Sequence, residues 1–385
     1  MADFIPYGRQ SISDADIAAV LDVLKSDFLT QGPVVPAFEE RVAAMCGASH
    51  AVAVNSATSA LHIACLALGV GKGDRVWTSP LTFVASSNAA LYCGADVDFV
   101  DVDPDTWNMC PARLAEMLDK AAGEGTLPKV VIPVHLTGQS CDMAAIHAAA
   151  SKHGVRIIED ASHAIGGSFA GKPVGACEYS DITVFSFHPV KIVTTGEGGM
   201  AVTNSDALAE AMRLDRSHGI TRDPALLEEG DPPGWYYEQQ RLGFNYRMTD
   251  INAALGLSQM DRLAQFIERR REIARVYEEG FAAIGVTTPT QHRDAGSAWH
   301  LYVIRVPADR HRAVFDHLRA SGIGVNLHYM PVYLQPYYRR LGFSPGHCPE
   351  AESYYDEAIS LPIFPAITPE QQQRVIDEVA KAVSA

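Results

Sequence analysis

Strand-like and helix-like segments alternate over about 200 residues of this chain, and this alternation restricts the possible fold most strongly. Short apolar runs typical of strands occur at 51–54, 75–78, 97–100, 130–134, 155–159, 182–187 and 199–203. Helical patterns lie between several of them, for example at 59–68 and 143–153. Parallel strands need crossover connections, which are usually helices. The alternation therefore predicts an α/β protein with a mostly parallel central sheet covered on both faces.

The pattern changes after residue 251, where a charge-rich helical run extends to residue 284. Beyond it we expect strands at 301–306 and 324–327, helices at 308–321 and 369–383, and hence a smaller α+β domain. The predicted division is a large domain at 1–255 and a small C-terminal domain at 256–385. The predicted helix at 14–24 could pack on the small domain. The acidic segment 223–239 is long enough to be a lid, a binding loop or an interface arm.

Composition excludes several classes of protein. No apolar run reaches the roughly 18 residues that cross a bilayer, and the acidic N-terminal segment has no apolar signal core. Seven scattered cysteines without a CxxC pair predict free thiols in a reducing cytoplasm. A net charge of -15 argues against nucleic acid as a partner, although an anionic small substrate could bind a local cluster of cations.

Metal sites are not expected either. The histidines and cysteines show none of the spacings of zinc sites, and the acidic run 96–105 does not match a calcium-binding loop.

Lys191 is the only lysine between Lys172 and Lys381, and it lies in an otherwise apolar, turn-rich segment after a strand-like run. Burying an ammonium group is costly unless its pKa falls or a chemical bond neutralises it. A bond to an aldehyde cofactor would neutralise it. An isolated lysine would more often be an exposed loop residue, so the interpretation depends on the neighbouring residues.

Those neighbours, from Phe185 to Gly199, resemble the cofactor-lysine segment of the DegT/DnrJ/EryC1/StrS family of sugar aminotransferases, and the resemblance extends over the whole chain. It implies a fold-type I aminotransferase that uses pyridoxal 5'-phosphate. It also implies a homodimer with shared active sites. Lys191 would hold the cofactor and move protons as general base and acid.

Pyridoxal phosphate needs a lysine, an acid at the ring nitrogen, a phosphate cradle and a flat group against the ring. Asp160 ends an apolar strand, where a parallel sheet presents residues to its binding crevice, although it could merely cap the next helix. The polar run 55–61 follows a strand and opens a helix, which suits a dianion or a simple helix cap. The residues that the resemblance assigns to the cofactor are Ala57, Thr58, Phe83, Asp160, His163, Ser186, Lys191 and, from the partner subunit, Asn245.

A nucleotide-sugar substrate carries a pyrophosphate, so an acidic protein must gather positive charge locally. The candidate substrate ligands are Arg216, His218, Arg247 and His328. Each could equally be a solvated surface charge.

Several runs, among them 187–191, 235–238, 300–304 and 325–338, look like one branch of the family. That branch transfers an amino group from glutamate to C4 of a UDP-linked 4-keto-6-deoxy-N-acetylhexosamine. The product is UDP-4-amino-4,6-dideoxy-N-acetyl-β-L-altrosamine, a precursor of pseudaminic acid. A bacillosamine precursor, perosamine, 4-amino-arabinose or a dTDP-sugar is an alternative product. A non-catalytic regulatory homologue and a cofactor-dependent dehydratase are further alternatives, and the presence of Lys191 argues against both.

Overall fold

The computed structural model describes residues 4–230 and 232–384; Asp231, within the predicted 223–239 loop, lies outside them. The helices are α1 (Asp14–Leu24), α2 (Val34–Cys46), α3 (Ala57–Ala67), α4 (Ala85–Tyr92), α5 (Pro111–Glu124), α6 (Met143–Ser151), α7 (Asp206–Arg216), α8 (Asp250–Met260), α9 (Leu263–Phe281), α10 (Ala308–Ala320), α11 (Pro336–Arg340), α12 (Pro349–Glu357) and α13 (Pro369–Ser384). The strands are β1 (His50–Val54), β2 (Arg75–Thr78), β3 (Asp96–Phe99), β4 (Val130–Ile132), β5 (Arg156–Asp160), β6 (Ser168–Phe169), β7 (Lys172–Pro173), β8 (Ile182–Ser186), β9 (Gly199–Thr203), β10 (Ile220–Thr221), β11 (Glu238–Gln239), β12 (Ala295–Gly296), β13 (Tyr302–Arg305) and β14 (Ala358–Leu361).

Seven strands form the central sheet in the order β1-β9-β8-β5-β4-β2-β3. Neighbours from β8 to β3 pair in parallel, whereas β9 runs antiparallel to both β8 and β1. Every residue of β8 is buried, and its adjacent residues Val184 and Phe185 belong to two different apolar clusters. Since successive side chains of a strand point to opposite faces, both faces of this sheet are covered. The α/β prediction is confirmed.

A separate apolar core lies in the C-terminal part of the chain. It joins α9, α10, α13 and the antiparallel pair β13–β14, with Tyr277 and Tyr302 at its centre. Ile5 belongs to this core and forms a bridge to Ile323. Helix α1 itself packs against α8. The N-terminal segment is thus fixed to the C-terminal core.

Two details of the predicted C-terminal region are wrong. The run predicted as one helix over 251–284 is two helices, because the chain turns at Asp261 and Arg262, where the Arg262 guanidinium binds the fully buried Asp16. Residues 324–327 form no strand, and a single bridge joins Asn326 to Ser360. The strand that pairs with β13 is instead β14, which the sequence analysis did not predict.

No helix within 4–230 or 232–384 is both long and apolar enough to cross a membrane. The same residues contain no group of three His, Cys, Asp or Glu side chains that could hold a metal ion.

Candidate active site

A cavity of about 760 Å³ opens where the carboxyl ends of β5 and β8 meet the start of α3. Ligands bind at this position in parallel α/β sheets. Eight of the predicted site residues line the cavity: Ala57, Thr58, Phe83, Asp160, His163, Ser186, Lys191 and His328.

The start of α3 forms one wall of the cavity. Ser56 caps the helix with its hydroxyl, which accepts a hydrogen bond from the Ser59 N–H at 3.1 Å, and its carbonyl accepts one from Ala60 N–H. The first N–H groups of a helix have no partner within the helix. Those of Ala57 and Thr58 come before the capped positions and lie at the cavity wall. This wall suits a phosphate dianion.

Gly199, the first residue of β9, allows that wall to form. A Cβ atom at this position would lie 2.5 Å from the Ala57 nitrogen and 2.5 Å from the carbonyl atoms of Ser56. Such a distance is too short for any side chain, and backbone atoms cannot swing aside as a flexible side chain can. Glycine is therefore required for the close approach of β9 to α3.

Asp160 ends β5 and is 4% exposed. Its Oδ1 accepts hydrogen bonds from the Ser162 N–H at 3.1 Å and from the Ser162 hydroxyl at 2.6 Å. Its Oδ2 accepts one from the Ser86 hydroxyl at 2.7 Å. A carboxylate has about four acceptor positions, so one position on Oδ2 remains for a ligand that donates a proton.

Lys191 follows β8 in a turn closed by a hydrogen bond from its N–H to the His188 carbonyl at 2.8 Å. Burial lowers the pKa of its amine to about 8, and the negative charge of Asp160 opposes this shift. A lysine with this pKa is partly neutral near pH 8, and the neutral form is the nucleophile and the base.

His163 has one ring nitrogen with a partner and one without. Its Nε2 lies 3.2 Å from the hydroxyl of Tyr329, whereas its Nδ1 is buried without a hydrogen-bond partner in the part of the chain that the structure describes. Burial holds the pKa of His163 well below its usual value, and burial raises that of Tyr329. With Tyr329 donating to Nε2, the proton of the neutral ring lies on Nδ1, where it is available to a ligand.

His328 lines the cavity but does not supply the positive charge expected from the sequence. Burial, together with the charge of Lys191, lowers its pKa to about 4, so the ring is neutral at pH 7. Its Nδ1 lies 2.8 Å from the Ser360 hydroxyl.

Two more of the predicted residues, Phe83 and Ser186, line the cavity. Phe83 is 62% exposed although it lines the cavity, so its aromatic face is open to a planar ligand. Ser186, the last residue of β8, is buried, lines the cavity and precedes the turn that carries Lys191.

Four predicted residues do not line the cavity of their own chain. Asn245 is exposed and lies beside Asn55, whose side-chain amide is 3.5 Å from its carbonyl. His218 is exposed, and Arg247 forms a bridge to Val54. The guanidinium of Arg216 donates to Glu39 Oε1 at 2.5 Å and to the Ala53 carbonyl at 2.9 Å, so it is held inside its own subunit.

The structure adds lining residues that the sequence analysis did not assign. Asn326, Tyr329 and Gln335 lie within the run 325–338, whose resemblance to one branch of the family is a signal that could have identified them. Tyr7 also lines the cavity, but no motif around it in the sequence indicates a site residue. It reaches the cavity because Ile363 N–H donates to its carbonyl at 3.0 Å, which ties the N-terminal segment to the C-terminal core.

Comparison with known proteins agrees with this geometry. Residues 10–380 match the model of the DegT/DnrJ/EryC1/StrS aminotransferase family. The spore coat polysaccharide biosynthesis protein SpsC of Bacillus subtilis (strain 168) is 38% identical, over 99% of this chain and 97% of its own length. Helicobacter pylori PseC, an aminotransferase involved in the biosynthesis of pseudoaminic acid, superposes with a TM-score of 0.91 at 30% identity, covering 99% of this chain and 100% of PseC. Spr1654 of Streptococcus pneumoniae in its PLP form has a TM-score of 0.90 at 29% identity, with 99% of both chains covered.

The fold is that of a fold-type I, PLP-dependent sugar aminotransferase. The chain belongs to the DegT/DnrJ/EryC1/StrS aminotransferase family.

The residues of the cavity fit its cofactor, pyridoxal 5'-phosphate. The buried Lys191 amine, whose pKa is lowered, suits the aldehyde of the cofactor. The free acceptor position on Asp160 Oδ2 suits the ring nitrogen, and the unpartnered His163 Nδ1 suits the ring hydroxyl. The glycine-dependent wall at α3 matches the phosphate.

Proposed function

We propose that this enzyme transfers an amino group from glutamate to C4 of a UDP-linked 4-keto-6-deoxy-N-acetylhexosamine, giving UDP-4-amino-4,6-dideoxy-N-acetyl-β-L-altrosamine. The presence of a Lys191 amine with a pKa of about 8 in one cavity with Asp160 carries the transaminase part of the proposal. Leu327 and Met330 also line the cavity, and their apolar side chains suit the C6 methyl group of a deoxy sugar. The similarity to PseC supports the same choice of sugar.

Pyridoxal phosphate supplies an aldehyde that carries the amino group and a ring that draws electrons from the reacting carbon. Lys191 Nζ holds the cofactor between turnovers and moves the proton at the substrate carbon during them. Asp160 Oδ2 keeps a proton on the ring nitrogen, because a carboxylate stabilises the charged form of a neighbouring base. His163 Nδ1 donates to the ring hydroxyl oxygen, and Phe83 packs against the ring face.

Ala57, Thr58 and Ser186 hold the phosphate in this proposal, and His328 contacts the sugar as a neutral hydrogen-bonding ring. In this proposal Asn245 reaches the cofactor phosphate of the partner subunit, and His218 and Arg247 bind the nucleotide sugar there. Arg216 is instead held by Glu39 within its own subunit. The exposed positions of Asn245 and His218 are consistent with this shared arrangement. The enzyme would therefore act as a homodimer.

The division into a large domain at 1–255 and a small domain at 256–385 is part of the same proposal. The separate C-terminal core supports this division. Helix α9 connects the two parts, because its Phe266 belongs to the apolar cluster that contains Phe185 of β8 and its Ile273 belongs to the C-terminal core. The cytoplasm is the proposed location, because the cytoplasm supplies glutamate and nucleotide sugars.

The substrate can be tested with the visible spectrum of the purified enzyme. The protein is first converted by glutamate to its pyridoxamine form, and excess glutamate is removed. The UDP-β-L-arabino 4-keto sugar and its D-xylo epimer are then added separately. We expect the absorption band of the enzyme-bound pyridoxal form to return with the L-sugar alone. Return with the D-sugar alone would move the enzyme to bacillosamine synthesis, and no return with either would indicate another nucleotide sugar.

A further inference from the structure

A chain of two buried hydroxyl groups ends on Asp160. The Ser86 hydroxyl lies 2.7 Å from Asp160 Oδ2, and the Thr82 hydroxyl lies 2.8 Å from that of Ser86. Thr82 is 4% exposed and lines the cavity, and Ser86 is fully buried behind it. A carboxylate only accepts hydrogen bonds. Ser86 must therefore donate its single proton to Asp160, and Thr82 must donate to Ser86.

This chain determines which acceptor position of Asp160 stays free. Ser162 occupies Oδ1 with two hydrogen bonds, and Ser86 occupies one of the two positions on Oδ2. Without the Ser86 hydroxyl, the carboxylate would be held at Oδ1 alone and could rotate about its bond to Cβ. The direction of the remaining Oδ2 position would then no longer be fixed.

We propose that Ser86 and Thr82 are positioning residues that orient the Asp160 carboxylate so that its free Oδ2 position is presented to the cofactor ring nitrogen. The inference rests on the proposed role of Asp160 as the partner of that nitrogen. Thr82 directly precedes Phe83, and Ser86 lies in the first turn of α4. The same short segment therefore fixes both the ring-stacking residue and the ring-nitrogen acid.

A purely structural role for Ser86 would be to join α4 to β5, so the test needs a measurement that such a role leaves unchanged. The ¹⁵N chemical shift of the ring nitrogen reports its protonation directly. It can be recorded by NMR on the holoenzyme loaded with pyridoxal phosphate labelled with ¹⁵N in the ring. Ser86→Ala is the test variant, and the folded state is checked by circular dichroism.

Ser87→Ala is the matched control. Ser87 is also fully buried on α4, but its hydroxyl lies 2.6 Å from that of Tyr338 and bonds the Val84 carbonyl at 3.1 Å, away from Asp160. We expect Ser86→Ala to move the resonance toward that of unprotonated pyridine. It should also lower kcat about 10–100-fold, by analogy with the loss of an outer hydrogen-bond partner of a metal ligand. Ser87→Ala should leave the resonance in its wild-type position.

Asp160→Asn separates this inference from the proposed function. If Asp160→Asn leaves the resonance unchanged, the assigned role of Asp160 fails. If Asp160→Asn moves it and Ser86→Ala does not, the positioning role alone is overturned. Thr82→Val provides a second variant should Ser86→Ala fail to fold. It removes only the outer donor, so it should move the resonance in the same direction by a smaller amount, and no movement would also contradict the proposal.

Discussion

Lys191 and Asp160 lie in one cavity, where burial lowers the pKa of the lysine to about 8 while the carboxylate charge acts in the opposite direction. We therefore predict that, in the cofactor-free protein, the Lys191 amine becomes reactive at lower pH than an ordinary lysine, whose pKa is about 10.4. The rate of acetylation by acetic anhydride can be measured by mass spectrometry of the Lys191 peptide as a function of pH. Its midpoint should lie near 8, with the exposed lysines of the same sample as internal standards.

The same measurement on Asp160→Asn tests the electrostatic coupling. Without the carboxylate charge the ammonium loses an attraction, so the midpoint should move to still lower pH. A wild-type midpoint close to that of an ordinary lysine would show that Lys191 is solvated. An unchanged midpoint in Asp160→Asn would show that the two charges do not interact.

Gly199 offers a test of the phosphate wall. In Gly199→Ala the new methyl group would meet the Ser56 and Ala57 backbone at 2.5 Å, so β9 and the start of α3 must separate. Overpacking of this kind costs about 1–3 kcal/mol in the free energy of unfolding. We predict that loss in denaturant melts, together with weaker binding of pyridoxal phosphate measured by titration of the visible band.

Gly71→Ala serves as the control, because, apart from Gly71 and its chain neighbours, no atom of residues 4–230 or 232–384 lies within 4 Å of a Cβ placed at this position. It should change neither stability nor cofactor affinity appreciably. Wild-type cofactor affinity in a folded Gly199→Ala protein would mean that the wall at Ala57 and Thr58 does not hold the phosphate.

Arg216 was predicted from the sequence to bind substrate, and its contacts indicate a structural role instead. It forms an ion pair with Glu39, which also accepts a hydrogen bond from Ala53 N–H at 2.8 Å, so the pair supports β1. Arg216→Ala leaves a largely buried carboxylate without its cation, which should lower the free energy of unfolding by about 1–3 kcal/mol. The KM for the nucleotide sugar should stay close to the wild-type value.

Arg213 lies on the same helix and is exposed, so Arg213→Ala should change stability by less than about 0.5 kcal/mol. Both variants can be compared in denaturant melts and steady-state kinetics. A raised KM without a loss of stability in Arg216→Ala would favour the substrate role.

The sequence predicts the central sheet well because its strands carry local signals. The apolar runs that became β2 and β9 have the predicted limits, since each is bounded by turn residues. The break between α8 and α9 has no Gly or Pro to mark it, because it depends on a distant contact between Arg262 and Asp16. The four-residue strand β14 likewise exists because Tyr302 and its neighbours pair with it.

Among the predicted site residues, those fixed by their own strand or turn line the cavity. Asp160 is the last residue of β5, and Lys191 lies in the turn that follows β8, so the local sequence pattern is enough to place both. Tyr7 and the neutral state of His328 depend on burial by elements far away in the chain, and no local pattern encodes such burial. The lowered pKa of His328 in particular could not be predicted, because it depends on desolvation by residues far away in the chain.

A shared active site can be tested by mixing two inactive variants. Lys191→Ala should lower transamination by at least about 100-fold, because it removes the base, and Asn245→Ala should weaken cofactor retention. In a mixed dimer one site would combine Lys191 of one subunit with Asn245 of the other, and the second site would carry both changes. Random reassociation of equal amounts makes half of the dimers mixed, so activity should recover toward about one quarter of wild type.

The control is each variant unfolded and refolded alone and assayed without added cofactor, where Lys191→Ala lacks its base, Asn245→Ala has lost its cofactor, and both should be inactive. Subunit exchange is followed with a size tag on one variant, so that mixed dimers are counted independently of activity. If mixed dimers form without any recovery, Asn245 acts within its own subunit or not at all, because only a residue that crosses the interface can restore the site of its partner.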